Sequence, residues 1–186
     1  MMNLSRMAAA FILAATPLLA LAEVPPQAKD CAACHGVDGN SDSALWPNLA
    51  GQHAEYLALQ LRAFRDGERY NPAMTPYVSD LTDDDIESLA DFYASQAPVV
   101  AANGDSDLVH RGQQLAGSCS ACHGYAGVPV ANRWPVLAGQ HAAYLQQQLN
   151  RYKIGERIHP LMQAAVGGID AVNFAALAAY YSQLER

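Results

Sequence analysis

The chain has 186 residues, 18 Asp and Glu against 11 Lys and Arg, a formal charge of −7 and four Cys. That length allows one ordinary domain or two small ones, and the acidic balance argues against a nucleic-acid partner, which would need a basic face. An apolar fraction of 51% with 16% charged residues is that of a chain that folds. Residues 1–22 read as a secretory leader: Arg6 is followed by an apolar run from Met7 to Ala22 that ends in Ala20-Leu21-Ala22, an A-x-A cleavage pattern. The run is short for a bilayer and contains Pro17, so cleavage is the preferred reading over an uncleaved anchor. Export would place the mature chain in the periplasm, where disulfides are permitted.

The remainder repeats itself at an offset of 88. Cys31, Cys34, His35 and Gly36 return as Cys119, Cys122, His123 and Gly124. Trp46-Pro47 returns as Trp134-Pro135, and Leu49-Ala-Gly-Gln-His-Ala54 as Leu137-Ala-Gly-Gln-His-Ala142. Gly67-Glu68-Arg69 returns as Gly155-Glu156-Arg157, and Met74 as Met162. A period this long is a small domain, not a solenoid unit. Residues 96–107, with Pro, Gly and Asn and no periodicity, suit a linker. The expected organisation is therefore 23–97 and 108–186 joined by a linker at 98–107.

Each half reads as helical. Tyr56, Leu57, Gln60, Leu61 and Phe64 recur at three- and four-residue steps, as do Tyr144, Leu145, Gln148, Leu149 and Tyr152. A second helix is expected from Thr82, with Asp85 completing a capping-box-like start and Ile86, Leu89, Ala90 and Tyr93 forming its stripe. Asp170 holds the matching position before Phe174, Leu177, Ala178 and Tyr181. The stretches 36–50 and 67–81 read as long loops. Halves of about 80 residues with such loops bury little surface alone and want an internal filler.

Cys31-Ala-Ala-Cys34-His35 and Cys119-Ser-Ala-Cys122-His123 are both C-x-x-C-H, the attachment pattern for a c-type haem. Two thiols bond the two vinyl groups of one porphyrin, and the adjacent imidazole meets the iron. A redox disulfide needs no following His, and a four-Cys zinc site pairs its knuckles over about 15–20 residues, not 88. Met74 and Met162 are the only Met of the mature chain, each 39 residues after its His in a Pro-containing stretch. That scarcity favours ligation over core filling and gives His35/Met74 and His123/Met162 as axial pairs. The rival ligands are His53 and His141, also in register, whose preferred reading is a histidine at a helix start or haem edge. His159 matches Asn71 and is a weaker candidate, and His110 reads as surface. The carbonyls of Pro47 and Pro135 are candidate acceptors for the second N–H of each haem imidazole. Arg69 and Arg157 are either propionate partners or ordinary surface arginines.

On these residues the chain resembles the dihaem class I cytochromes c, and within them the bacterial cytochrome c4 family, over the whole mature length. The resemblance rests on the two C-x-x-C-H segments, W-P-x-L-A-G-Q-H-x-x-Y-L, G-E-R, one Met per half and the terminal helix with its L-A and aromatic pairs. It implies an all-α fold of two cytochrome c domains related by pseudo-twofold symmetry, two covalently attached haem c groups, and a periplasmic electron shuttle. Its partners would be an oxidase, reductase or dehydrogenase, and peripheral association with a membrane is compatible with it. The rival reading is the cytochrome subunit of a sulfur-compound dehydrogenase of the flavocytochrome c or thiosulfate dehydrogenase type. Charge separates the halves: 13 acids and 4 bases over 23–97 give −9, and 5 acids and 6 bases over 98–186 give +1.

Overall fold

The computed structural model describes residues 24–186, so the leader expected at 1–22 lies outside the described residues. Every regular element among the described residues is helical. In the first half these are α1 (Ala28–His35), α2 (Ala54–Arg65), α3 (Thr75–Val78) and α4 (Asp83–Ser95). Helix α2 presents Leu57, Ala58 and Phe64 inward. Helix α4 starts at a true capping box: Thr82 Oγ1 accepts from the Asp85 N–H at 3.1 Å, and the Asp85 carboxylate accepts from the Thr82 N–H at 3.0 Å. The two helices pack together and, with Ala28 of α1, bury Leu57, Ile86, Leu89, Phe92 and Tyr93.

The second half contains α5 (Ser106–Leu115), a 3-10 turn (Ala116–Ser118), α6 (Ser120–His123), α7 (Ala142–Ile154), α8 (Pro160–Gly167), a second 3-10 turn (Ala171–Asn173) and α9 (Phe174–Ser182). Helix α9 is buried almost throughout, against α5 on one side and α7 on the other. The α5–α9 crossing requires Gly112, where a Cβ would lie 2.0 Å from the Ala176 carbonyl oxygen. Asp170 caps as expected, but it caps the 3-10 turn, and α9 begins three residues later than the parallel with α4 implies. No single helix among the described residues is long and apolar enough to cross a membrane.

The segment between the halves is laid down rather than free. The N–H groups of Ala101 and Ala102 donate to Gly139 and Ser182, and Val99 N–H donates to Asn40. Helix α5 takes Ser106 and Asp107 from the expected linker, with Asp105 as its N-cap.

The halves are joined by a reciprocal pairing. Gln52 Nε2 donates to the Val136 carbonyl at 2.9 Å while its Oε1 accepts from the Val136 N–H at 2.8 Å. Gln140 does the same to Asn48, at 2.9 and 2.8 Å. Positions 48 and 136, like 52 and 140, are repeat equivalents, so the contact is made twice about a pseudo-dyad. Arg186 reaches both halves, donating to the carbonyls of Ala138 and Ala50, which are also equivalents. Its burial lowers its pKa to about 10.

Truncating Gln52 to Ala leaves a buried N–H and C=O of Val136 unpaired. Gln52→Ala should cost about 1–3 kcal/mol, and Gln140→Ala a similar amount. Denaturant unfolding checks this, and the double variant should separate one cooperative transition into two.

A duplicated candidate haem site

Cys31, Cys34 and His35 occupy positions i, i+3 and i+4 of α1 and so share one face. In the second half Cys119 is the N-cap of α6, and Cys122 and His123 lie in its single turn. All four Cys are outside disulfides. Gly follows each His at positive φ (79° at Gly36, 75° at Gly124), where a Cβ would sit 2.1 Å from the carbonyl oxygen of Asn40 or Val128. This turn brings the Trp-Pro segment back over the imidazole. Nδ1 of His35 lies 2.9 Å from the Pro47 carbonyl oxygen, and Nδ1 of His123 3.1 Å from that of Pro135. Nδ1 therefore carries the proton and Nε2 is the ring's remaining donor atom, the arrangement that orients a metal-binding imidazole. Both rings are 5% exposed. Burial holds both imidazoles below their ordinary pKa, offset in part by the carbonyl, which favours the neutral, metal-binding form.

These two histidines, Met74 and Met162 all line one continuous cavity of about 720 Å³ with mostly apolar walls. Met74 is the N-cap of α3, and Met162 lies within α8, so the two Pro-containing stretches that carry the Met each contain a helix, one of four residues and one of eight. Helix α8 is capped by the His159 imidazole, whose Nδ1 accepts from the Met162 N–H at 3.4 Å. The His159 ring lies edge-on between Trp134 and Tyr152. His110 is exposed, as expected.

The rival histidines are engaged elsewhere. His53 and His141 are the N-cap residues of α2 and α7, but neither side chain caps. His53 Nδ1 donates across the dyad to the Trp134 carbonyl at 3.0 Å. His141 Nε2 donates to the Ser41 carbonyl at 2.9 Å, and its Nδ1 accepts from Asn103 at 2.8 Å. Neither ring lines the cavity.

Arg69 and Arg157 are not surface arginines. Arg157 is 8% exposed and donates to Tyr56, Gln60 and Gln148 at 2.8–3.1 Å. Arg69 donates to Gln60, Gln148 and Tyr144 at 2.7–3.3 Å. Each guanidinium stacks on an aromatic ring of its own half, Phe64 or Tyr152. Among the described residues no carboxylate lies within salt-bridge distance of either. Burial raises the Tyr144 phenol, but Arg69 and Arg157 outweigh it and hold its pKa below the ordinary value. Two cations with no acidic partner, facing the cavity from opposite halves, suit the carboxylates of a tetrapyrrole. Reasoning from the sequence missed their cross-domain role; the signal available was that Tyr56, Gln60 and Arg69 recur as a set.

The remaining fit is at the Cys ends. The hydroxyls of Tyr93 and Tyr181, repeat equivalents that line the cavity near Cys31 and Cys119, are buried without a hydrogen-bond partner among the described residues. Apolar walls, paired thiols, an oriented imidazole and unpartnered polar groups fit a covalently held haem in each half.

Fold and sites together define a two-domain c-type cytochrome. The cytochrome c4 of Pseudomonas aeruginosa is 34% identical over 168 residues, covering 83% of each chain. The chain belongs to the cytochrome c4 family. The crystal structure of reduced recombinant cytochrome c4 from Pseudomonas stutzeri superposes with a TM-score of 0.80 at 31% identity, over 88% of this chain and 99% of that one. The family model described as "Cytochrome C oxidase, cbb3-type, subunit III" matches residues 27–92, and the one described as "Cytochrome c" matches residues 109–185. A thiosulfate dehydrogenase electron acceptor of Stutzerimonas stutzeri is 41% identical over 144 residues, 71% of this chain and 67% of that one. The protein is a dihaem electron-transfer cytochrome with two covalently bound haem c groups.

Replacing the buried cation should favour Fe(III). Arg157→Gln is expected to lower a midpoint potential by on the order of 50 mV, about 1 kcal/mol, with Arg157→Lys closer to wild type. Spectroelectrochemical titration of the purified protein measures both.

Proposed function

We propose that this protein is a periplasmic one-electron carrier between respiratory donors and terminal acceptors. When bound, the haems supply the Fe(II)/Fe(III) couple. The observation that carries the reading is the single cavity that gathers the His and the Met of both repeats inside a frame locked by cross-domain hydrogen bonds. The paired thiols Cys31 and Cys34, and Cys119 and Cys122, serve as the thioether anchors. His35 with Met74, and His123 with Met162, serve as the axial ligands. Support for the imidazoles comes from the Pro47 and Pro135 carbonyls, which fix the tautomer. For the thioethers it comes from their place on the cavity wall and the engagement of His53 and His141 elsewhere.

Thioether ligation favours Fe(II) and gives a higher potential than two imidazoles. Met74→Ala and Met162→Ala should each remove about half of the far-red sulfur-to-iron absorption band, read on protein with a confirmed haem count of two. An unchanged band in both variants would return His53 and His141 to contention.

The charge difference between the halves, −9 against +1, should leave the first haem with the lower potential, because negative charge stabilises Fe(III). Redox titration of the Met74→Ala and Met162→Ala proteins assigns the two waves, and the difference should shrink as ionic strength rises.

The relative of Stutzerimonas stutzeri named as a thiosulfate dehydrogenase electron acceptor favours a second reading, a cytochrome subunit serving a sulfur-compound dehydrogenase. Co-purification with a second polypeptide from the native host, and reduction by thiosulfate only in its presence, would support that reading over the free carrier.

A further inference from the structure

Beyond the eight residues read above as cofactor ligands, one more pair of repeat positions makes the same contact twice. Arg65 stands in the last turn of α2 and Lys153 in the last turn of α7. Arg65 Nη1 donates to the Leu81 carbonyl at 3.2 Å, and Lys153 Nζ donates to the Ile169 carbonyl at 3.1 Å. Leu81 and Ile169 are themselves equivalents, each seven residues beyond the Met of its half. A cation from the helix therefore ties down the far end of the Met-bearing segment in both halves.

The second half adds to this. Lys153 Nζ also donates to the carbonyls of Gly167 at 2.6 Å and Val166 at 3.4 Å, in the final turn of α8. The Val166 carbonyl also accepts the Ile169 N–H at 3.0 Å, and a cation at these last carbonyls meets the negative end of the helix. With His159 on the first turn, α8 is pinned at both ends around Met162. In the first half, Arg65 divides its fork between Leu81, Asp66 and Asp83, and Met74 sits before a helix of only four residues.

The geometry points to Arg65 and Lys153 as positioning residues for Met74 and Met162, each setting how firmly its segment presents the sulfur. This rests on the axial reading proposed above. A thioether is a neutral ligand that the reduced iron favours, so a loosened segment should reveal itself in the oxidised protein, where an added ligand can displace the sulfur. Lys153 is exposed, so its removal forfeits little burial. The loss is of directed contacts, corresponding to about two- to tenfold in an equilibrium constant.

The test uses the full-length, doubly haem-loaded ferric protein titrated with imidazole, followed by loss of the far-red sulfur–iron band. Lys153→Ala should raise imidazole affinity about two- to tenfold at one haem and leave the other at its wild-type value. Arg65→Ala should do so at the other haem, and Lys153→Arg should restore wild-type binding. Lys153→Gln serves as the second neutral variant should Lys153→Ala lose haem. Unchanged affinity at both haems, or an equal rise at both, would overturn the inference. If Met162→Ala still removes half of the band in that event, the axial reading stands alone. A Met162→Ala protein with its band intact would sink both.

Discussion

Gln52 and Gln140 each take up a backbone N–H and C=O that belong to the other half of the molecule, and most of what the protein can do depends on that exchange. The acceptor positions, Asn48 and Val136, are buried in the segment between the attachment helix and the helix after it. Unpaired, each would carry the full desolvation cost of two polar groups. The same segment supplies the Pro47 and Pro135 carbonyls that orient His35 and His123. Inter-domain pairing and imidazole orientation therefore share a few residues of backbone, and loosening one disturbs the other.

Arg69 and Arg157 add an electrostatic layer to this frame. Each guanidinium reaches Gln60 of one half and Gln148 of the other. Burying two like charges side by side without carboxylates is unfavourable unless neutral hydrogen bonds, aromatic faces and an anionic ligand compensate. The first two are visible in the structure, and haem carboxylates set against the two guanidiniums would supply the third. By contrast, several of the acids that make the first half so negative are engaged locally: Asp83 pairs with Arg62 and Arg65, Glu87 with Arg62, and Asp85 closes the helix cap with Thr82. Their long-range field remains, but at the surface each pair contributes little to stability.

What the sequence made legible was whatever lies within one repeat. Apolar spacing placed α2 and α4, Thr82 and Asp85 marked a cap, and the C-x-x-C-H spacing with the following Trp-Pro located the imidazole and its carbonyl partner. Relations between repeats stayed hidden. His53 reads as a helix start or haem edge, Arg69 as a propionate partner or surface arginine, and Gln52 and Tyr56 show no cross-repeat role, because their bonding partners lie some 75 to 100 residues away, beyond the reach of any local pattern. Helix α8 was also missed. Pro160 at the first helical position and the His159 cap were available signals, but the matching stretch around Met74 forms a single turn, and reading the halves as copies masked the difference.

Arg186 occupies a place on the pseudo-axis that can be filled only once. It bonds Ala50 of one half and Ala138 of the other. Two identical subunits assembled about a strict dyad would bring two such guanidiniums to one spot, where they would repel and collide. A single polypeptide carrying both halves escapes that restriction. The same licence lets His141 grip Ser41 and Asn103 while its twin His53 grips Trp134. Tandem fusion thus permits an arrangement in which entry and exit of charge need not be interchangeable, a polarity that perfect twofold symmetry forbids.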